Sequence, residues 1–215
     1  MKRFITFEGI EGSGKTTQIR LAENWLRNRG LPVLATAEPG GTPLGMKIRE
    51  ILLNRGSWNI GAEAELLLFT AARAQHVAEI IIPALEDGKW VLCDRYTDAT
   101  RAYQGFGRGL NAELVKIIND FSTGKIEPEL TFLFDLPVEI GLKRAQKRAE
   151  NHIPETAEDR FEQEEADFHQ TVRNGYLQLA KEKPQRFRII NAAGLPEEIN
   201  REVCRFLNLL TEISS

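Results

Sequence analysis

The stretch Gly9-Ile10-Glu11-Gly12-Ser13-Gly14-Lys15-Thr16 constrains this 215-residue chain more than any other part of it. It follows a short β-rich run, residues 4–7, and precedes apolar residues at helical spacing, Ile19, Ala22 and Leu26. Strand, glycine-rich turn and helix in that order frame a phosphate-binding P-loop. The glycines let consecutive backbone N–H groups converge, and the helix N-terminus adds partial positive charge at the same point. Lys15 is placed to reach nucleotide β- and γ-phosphates, and the Thr16 hydroxyl to join a Mg²⁺ shell. The competing reading is a glycine-rich turn with a surface lysine.

Four further β-rich runs follow, at residues 33–36, 90–93, 130–134 and 187–190. Their continuous apolar character predicts strands buried on both faces. Amphipathic segments separate them, among them residues 63–85 and the set Leu114, Ile117, Ile118 and Phe121. This alternation predicts an α/β protein, a three-layer P-loop fold whose five-stranded parallel sheet is flanked by helices. At this length one domain over residues 1–215 is the simplest division. Ligands of such sheets bind at the carboxyl ends of the strands. The apolar run 80–85 is far short of the roughly 20 residues that cross a bilayer, so a buried helix is expected there.

A net charge of −3 argues against a nucleic-acid coat, which needs clustered Lys and Arg, and leaves small phosphorylated ligands open. Two distant cysteines, Cys93 and Cys204, form no metal pattern and fit a reduced, cytoplasmic protein. No apolar signal region precedes the first strand, so neither export nor membrane association is expected.

The residues after the strands narrow the chemistry. Asp94-Arg95-Tyr96 follows the third strand: Asp94 is placed to hold Mg²⁺ and Arg95 to fork onto a second phosphate, with a structural salt bridge as the alternative. Ala102-Tyr103-Gln104-Gly105 offers an aromatic ring and an amide to a heterocyclic base; alone, these would be a core tyrosine and a surface glutamine. Phe69 and Arg73 stand i, i+4 on one helical face, a ring to stack and a guanidinium to donate, although core packing is the default for the phenylalanine. The Asn-Lys-x-Asp and Asp-x-x-Gly motifs of a regulatory GTPase do not occur. Residues 150–159, with Asn151, His152 and Pro154, read as a short lid or as an ordinary exposed loop.

Together, Phe7 to Thr17, Glu38-Pro39-Gly40-Gly41-Thr42, Asp94-Arg95-Tyr96, Ala102 to Gly105 and Asp159-Arg160-Phe161-Glu162 resemble the thymidylate kinase family, in the family's order and over most of the chain. The resemblance implies phosphoryl transfer from Mg²⁺-bound ATP to dTMP. It places Gly9, Ile10, Glu11, Gly12, Ser13, Gly14, Lys15, Thr16 and Thr17 around ATP, and Thr16 and Asp94 at the metal. Arg144 is implied to stack on adenine. Glu11 is implied to sit near the deoxyribose 3′-hydroxyl, Pro39 and Phe69 to wall the thymine pocket, and Arg73 to reach a thymine carbonyl. Arg49 and Arg95 are implied to clamp the dTMP phosphate, Thr100 and Gln104 to read the base edge, and Tyr103 to pack beneath the sugar. Catalysis is implied to rest on Lys15, Arg95 and Arg148, the last supplied from the lid base because positions 10–13 hold no cation. For the neighbouring Lys147, helix-dipole complementation is an equal explanation. A homodimer is also implied.

Ala37 and Ala99 depart from the arginine and serine common in the family, which touches fine acceptor preference. A kinase for another monophosphate and a non-catalytic nucleotide-binding regulator are the competing functions. The charge is expected to be sorted: acidic residues crowd 155–167, whereas Lys15, Arg49, Arg73, Arg95, Arg144 and Arg148 gather at the strand ends and lid base.

Overall fold

The structure, a computed structural model, describes residues 3–53, 59–150, 161 and 164–213. The expected lid, residues 150–159, lies outside them apart from Glu150, as does Arg160. Five strands form one parallel sheet: β1 (Phe4–Glu8), β2 (Val33–Ala37), β3 (Trp90–Asp94), β4 (Leu130–Asp135) and β5 (Phe187–Asn191), in the order β2-β3-β1-β4-β5. The helices are α1 (Lys15–Arg27), α2 (Pro43–Leu53), α3 (Ala62–His76), α4 (Ile82–Glu86), α5 (Thr97–Thr100), α6 (Ala112–Thr123), α7 (Val138–Glu150), α8 (Ala166–Glu182) and α9 (Pro196–Ile213).

Side chains alternate across the sheet, so register assigns each residue a face. Phe4 pairs with Val91, and both pack with Val77, Ile81 and Leu85 of the α3–α4 run. Ile5, Phe7, Leu92 and Phe132 belong to the core that takes in Ile19, Ala22 and Leu26 of α1. Phe7 and Phe134 stack with ring centroids 5.8 Å apart, and truncating such a ring to alanine costs about 3–5 kcal/mol. The central strands β1 and β4 are buried along almost their whole length, as their continuous apolar runs predict. The edge strands β2 and β5 are not, because each has only one neighbour and part of its surface stays open.

The expected helix over 63–85 is two α-helices joined by a π-helical turn, Val77–Ile81. Pro83, at the start of α4, has no N–H to bond back into the preceding turn, which accounts for the change of winding there. Residues Ala62–Glu86 are long and apolar enough, by length and composition, to cross a bilayer. Their Glu65, Arg73 and His76 are nevertheless buried and paired with other elements of the fold. The amphipathic face of α6 points the other way from a core helix: Leu114, Ile117 and Phe121 are exposed while Val115, Asn119 and Ser122 are buried.

The sheet order reverses at β1, so the carboxyl ends of β1 and β3 open a crevice between diverging connections. Phe7 pairs with Asp94, and Asp94 with Ala37, which brings Glu8, Arg95 and Glu38 into one row at the sheet's upper rim.

Candidate active site

The loop from Gly9 to Gly14 joins β1 to α1. Gly12 has φ 68°, and a side chain on it would overlap the carbonyl of Gly141 in α7. A side chain on Gly141 would in turn press to 2.6 Å from the carbonyl of Glu11. Loop and helix therefore touch backbone to backbone, which requires glycine on both sides.

Lys15 curls back over this loop, donating from Nζ to Gly9 O at 3.0 Å, Ile10 O at 2.9 Å and Ser13 Oγ at 3.2 Å. Burial, with the Arg95 cation nearby, pulls its ammonium down to about 8 against the opposing pull of Asp94 and Glu11. Thr16 Oγ1 donates to Asp94 Oδ2 at 3.0 Å, although 78 residues separate them in sequence. A hydroxyl and a carboxylate side by side are hard oxygen donors, the set Mg²⁺ takes together with nucleotide phosphates.

Arg95 sits in a left-handed backbone conformation, φ 67°, and points its guanidinium across the loop. Nη1 donates to Gly9 O at 3.0 Å and to Tyr176 Oη at 3.2 Å, and Nη2 donates to Glu11 Oε1 at 2.8 Å. The Tyr103 hydroxyl donates to the same Glu11 oxygen at 2.5 Å. Burial works to raise the Glu11 carboxyl, but the Arg95 guanidinium, aided by His169 and Lys15, outweighs it and holds the group well below the usual carboxylate range. The salt-bridge alternative for the Asp94-Arg95 pair takes a different form from a bond between the two. Neither residue bonds the other; Asp94 meets Thr16 and Arg95 meets Glu11.

A cavity of about 410 Å³ opens beside these groups. Lys15, Thr16, Asp94, Arg95 and Arg148 line one part, and Pro39, Phe69, Ala99, Thr100, Tyr103 and Gln104 another. Phe161 joins the aromatic part, its ring 6.0 Å from Phe69 and 5.6 Å from Tyr103. Tyr103 and Gln104 come from a second π-helical segment, Arg101–Gly107, and both are buried. Gln104 is thus no surface glutamine: Nε2 donates to the buried Glu65 Oε1 at 2.8 Å, and Glu65 is held in turn by Arg108.

Arg73 is 1% exposed and largely committed to protein. Nε donates to Glu38 Oε2 at 2.7 Å, Nη1 to Thr100 Oγ1 at 3.0 Å and Asn119 Oδ1 at 2.7 Å, and Nη2 to Tyr96 O at 2.9 Å. Its edge still lines the cavity, so it both ties the wall together and forms part of it. Arg49 lines the cavity too, with Nη1 donating to Pro39 O at 2.9 Å. Glu38, His76 and Cys93 come close enough to suggest a metal cluster. Both imidazole nitrogens are already engaged, by Glu38 Oε1 at 2.9 Å and Thr36 Oγ1 at 2.7 Å, and the Arg73 cation occupies the remaining Glu38 oxygen. That arrangement leaves no seat for a second cation.

Arg144 lies away from this cavity, its guanidinium donating to Ala192 O at 2.8 Å and Ala193 O at 3.3 Å just beyond β5. The Ile10 side chain belongs to the core, so the backbone is what it offers a nucleotide, while Thr17 is half-buried in the first turn of α1. Sequence reasoning passed over Gly141, His169 and Tyr176, and gave Glu8, inside the matched stretch Phe7 to Thr17, no role of its own. Only Gly141 carried a local signal, a glycine inside a helical pattern.

Comparison with known proteins adds an independent line. Residues 7–203 match the family model described as thymidylate kinase. The chain is 57% identical over 213 residues to a protein named thymidylate kinase from Syntrophus aciditrophicus, covering 99% of this chain and 97% of that protein. A thymidylate kinase of Desulfovibrio desulfuricans is 51% identical, covering 91% of this chain and 90% of its own. The crystal structure of thymidylate kinase from Ehrlichia chaffeensis superposes with a TM-score of 0.74 at 34% identity, covering 95% of this chain and 97% of that one.

Proposed function

The chain belongs to the thymidylate kinase family, whose ATP-dependent reaction phosphorylates dTMP to dTDP, and we propose that the cavity between the P-loop and the Phe69–Tyr103 wall is where it does so. The observation that carries the assignment is the joining in one cavity of a P-loop lysine, a hydroxyl–carboxylate pair and an aromatic slot, with the Glu11–Arg95 pair between them.

ATP lies along the P-loop, its phosphates taken by the backbone N–H groups of residues 9–17 and by Lys15, with Arg144 on the adenine side. The three carbonyl and hydroxyl oxygens that now hold Lys15 keep it close to where phosphates arrive. Mg²⁺, held by Thr16 and Asp94, would neutralise charge between the β- and γ-phosphates. The thymine ring enters between Pro39 and Phe69, with Arg73, Thr100 and Gln104 along its edge and Tyr103 beneath the sugar. Gln104 and Thr100 are fixed by Glu65 and Arg73, so they present set donors and acceptors rather than mobile ones. Glu11 reaches the 3′-hydroxyl, and Arg49 and Arg95 take the dTMP phosphate.

The acceptor oxygen is already anionic at neutral pH, so no general base is needed. In-line transfer then depends on holding two polyanions together and spreading the charge of the moving phosphoryl group over Lys15, Arg95 and Arg148. Exclusion of water prevents simple hydrolysis of ATP.

The exposed Leu114, Ile117 and Phe121 of α6, beside the exposed Leu67 of α3, form an apolar face that suits a second copy of the chain, so the working unit is a homodimer. Two cysteines outside any disulfide suit the cytoplasm. An ADP-release assay run in parallel with dTMP, dUMP, UMP, CMP and AMP tests the acceptor assignment. It expects dTMP to exceed the others in kcat/KM, and no preference for dTMP would sink it.

A further inference from the structure

Helix α8 sends two fully buried polar residues toward the P-loop, His169 and Tyr176. They are seven residues apart, two helical turns, and share the buried face with Val172. Neither lines the cavity. Tyr176 Oη accepts from Arg95 Nη1 at 3.2 Å and donates to Glu8 Oε2 at 2.8 Å. Glu8 accepts at its other oxygen from the Tyr96 backbone N–H at 2.8 Å. Arg95 is thereby bracketed: its own N–H is bonded to Phe7 O at 3.0 Å, the next N–H to Glu8, and its guanidinium to Tyr176.

His169 approaches from the other side. Its Nδ1 stands 3.1 Å from Glu11 Oε2 without the alignment of a hydrogen bond, and among the described residues neither atom has another hydrogen-bond partner. Since Glu11 Oε1 already holds Arg95 and Tyr103, Oε2 is the oxygen left to orient the carboxylate.

We propose that His169 and Tyr176 are positioning residues, by which α8 aims Arg95 at the acceptor phosphate, Tyr176 directly and His169 through Glu11. The inference rests on the reading of Arg95 as a phosphate ligand given above. Outside support matters because a long arginine side chain has many rotamers, and fixed partners select one of them. Burial holds the Tyr176 phenol well above its ordinary range, so it stays a donor to Glu8 and leaves its lone pair to Arg95.

The test uses initial rates of the full chain with dTMP and MgATP, for Tyr176→Phe, Arg95→Lys and the double variant, with thermal unfolding as the fold control. Tyr176→Phe is expected to lower kcat about tenfold while KM for ATP moves less than about twofold, because one charge-assisted bond to the arginine is lost. Arg95→Lys is expected to lower kcat by about a hundredfold or more. The double variant is expected to be no slower than Arg95→Lys, since the tyrosine acts only through the arginine. Wild-type kcat in Tyr176→Phe, or losses that multiply in the double variant, would overturn the proposal. If Arg95→Lys keeps its rate, the reading of Arg95 falls and takes the inference with it; if only Tyr176→Phe keeps its rate, the inference alone falls. His169→Asn, which retains a donor, is expected to keep its rate within about twofold, and His169→Phe, which retains the ring shape, to lose about fivefold. Equal losses in these two overturn the His169 half, and they read it out even if Tyr176→Phe does not fold.

Discussion

Lys15 gives a prediction that can be worked from its surroundings. It is 8% exposed, and burial together with Arg95 lowers its ammonium from 10.5 to about 8. That displacement corresponds to about 3 kcal/mol disfavouring the charged form in the empty loop. Incoming phosphates reverse the balance by supplying anions where there were only carbonyl and hydroxyl oxygens. At pH 8 the empty loop holds about half of the lysine in neutral form, so binding takes up about 0.5 proton per site, against about 0.03 at pH 6.5. Titration calorimetry with a non-hydrolysable ATP analogue, in two buffers of different ionisation enthalpy, reads the uptake directly. Glu8, raised by burial and by Asp98 to about 8, shifts in the same direction when anions bind, so the difference between wild type and Lys15→Met isolates the lysine. The sign for the unliganded fold follows from the same lowered value. Its contribution to stability is fully present above pH 10.5 and lost as pH falls through about 8, and Lys15→Met flattens that slope. Equal proton uptake by wild type and Lys15→Met at pH 8 would refute the reasoning.

Three further outcomes are expected. Phe69→Ala weakens dTMP by about tenfold or more and ATP by less than about twofold in calorimetry on each ligand, because the ring walls only the aromatic part of the cavity; equal losses point to a packing role. Gly12→Ala loses phosphoryl transfer and about 2 kcal/mol or more of stability in urea unfolding, since a positive φ and the Gly141 carbonyl both oppose a side chain. Ile117→Glu with Phe121→Glu yields monomers in sedimentation velocity while leaving unfolding by urea little changed, because both side chains face outward; a persisting dimer would place the interface elsewhere.

The architecture was legible because a parallel sheet writes itself into short, continuous apolar runs. All five runs are strands, and their order along the chain implied crossovers that the sheet order β2-β3-β1-β4-β5 realises. What spacing could not convey is which way an amphipathic face points. The stripe Leu114, Ile117 and Phe121 is indistinguishable in sequence from a core stripe, yet α6 turns Val115, Asn119 and Ser122 inward instead. The π-helical segments were equally invisible, although one of them carries Tyr103 and Gln104 into the site. A single extra residue per turn leaves no periodicity long enough to read.

The site divides in the same way. Lys15, Thr16, Asp94 and Arg95 were readable because each stands in a motif next to a strand end, where fold topology dictates that ligands bind. Thr100 needed family resemblance, whereas Phe69 and Gln104 were offered by residue type and spacing as well, against a core ring and a surface amide as the alternatives. His169 and Tyr176 had neither aid, and Glu8, although inside the stretch Phe7 to Thr17, was given no role of its own. Their significance lies in distances spanning up to 168 residues of sequence, such as the 2.8 Å from Tyr176 to Glu8. Such residues touch other side chains rather than ligand, so no ligand chemistry selects their type in a recognisable pattern. The same holds for the charge arrangement: the strand-end cations were foreseen as a cluster, but Lys15, Arg49, Arg73, Arg95 and Arg144 are each already engaged by carbonyl oxygens or carboxylates at 2.7–3.0 Å. A phosphate must therefore compete with Ile10 O for Lys15 and with Glu11 for Arg95.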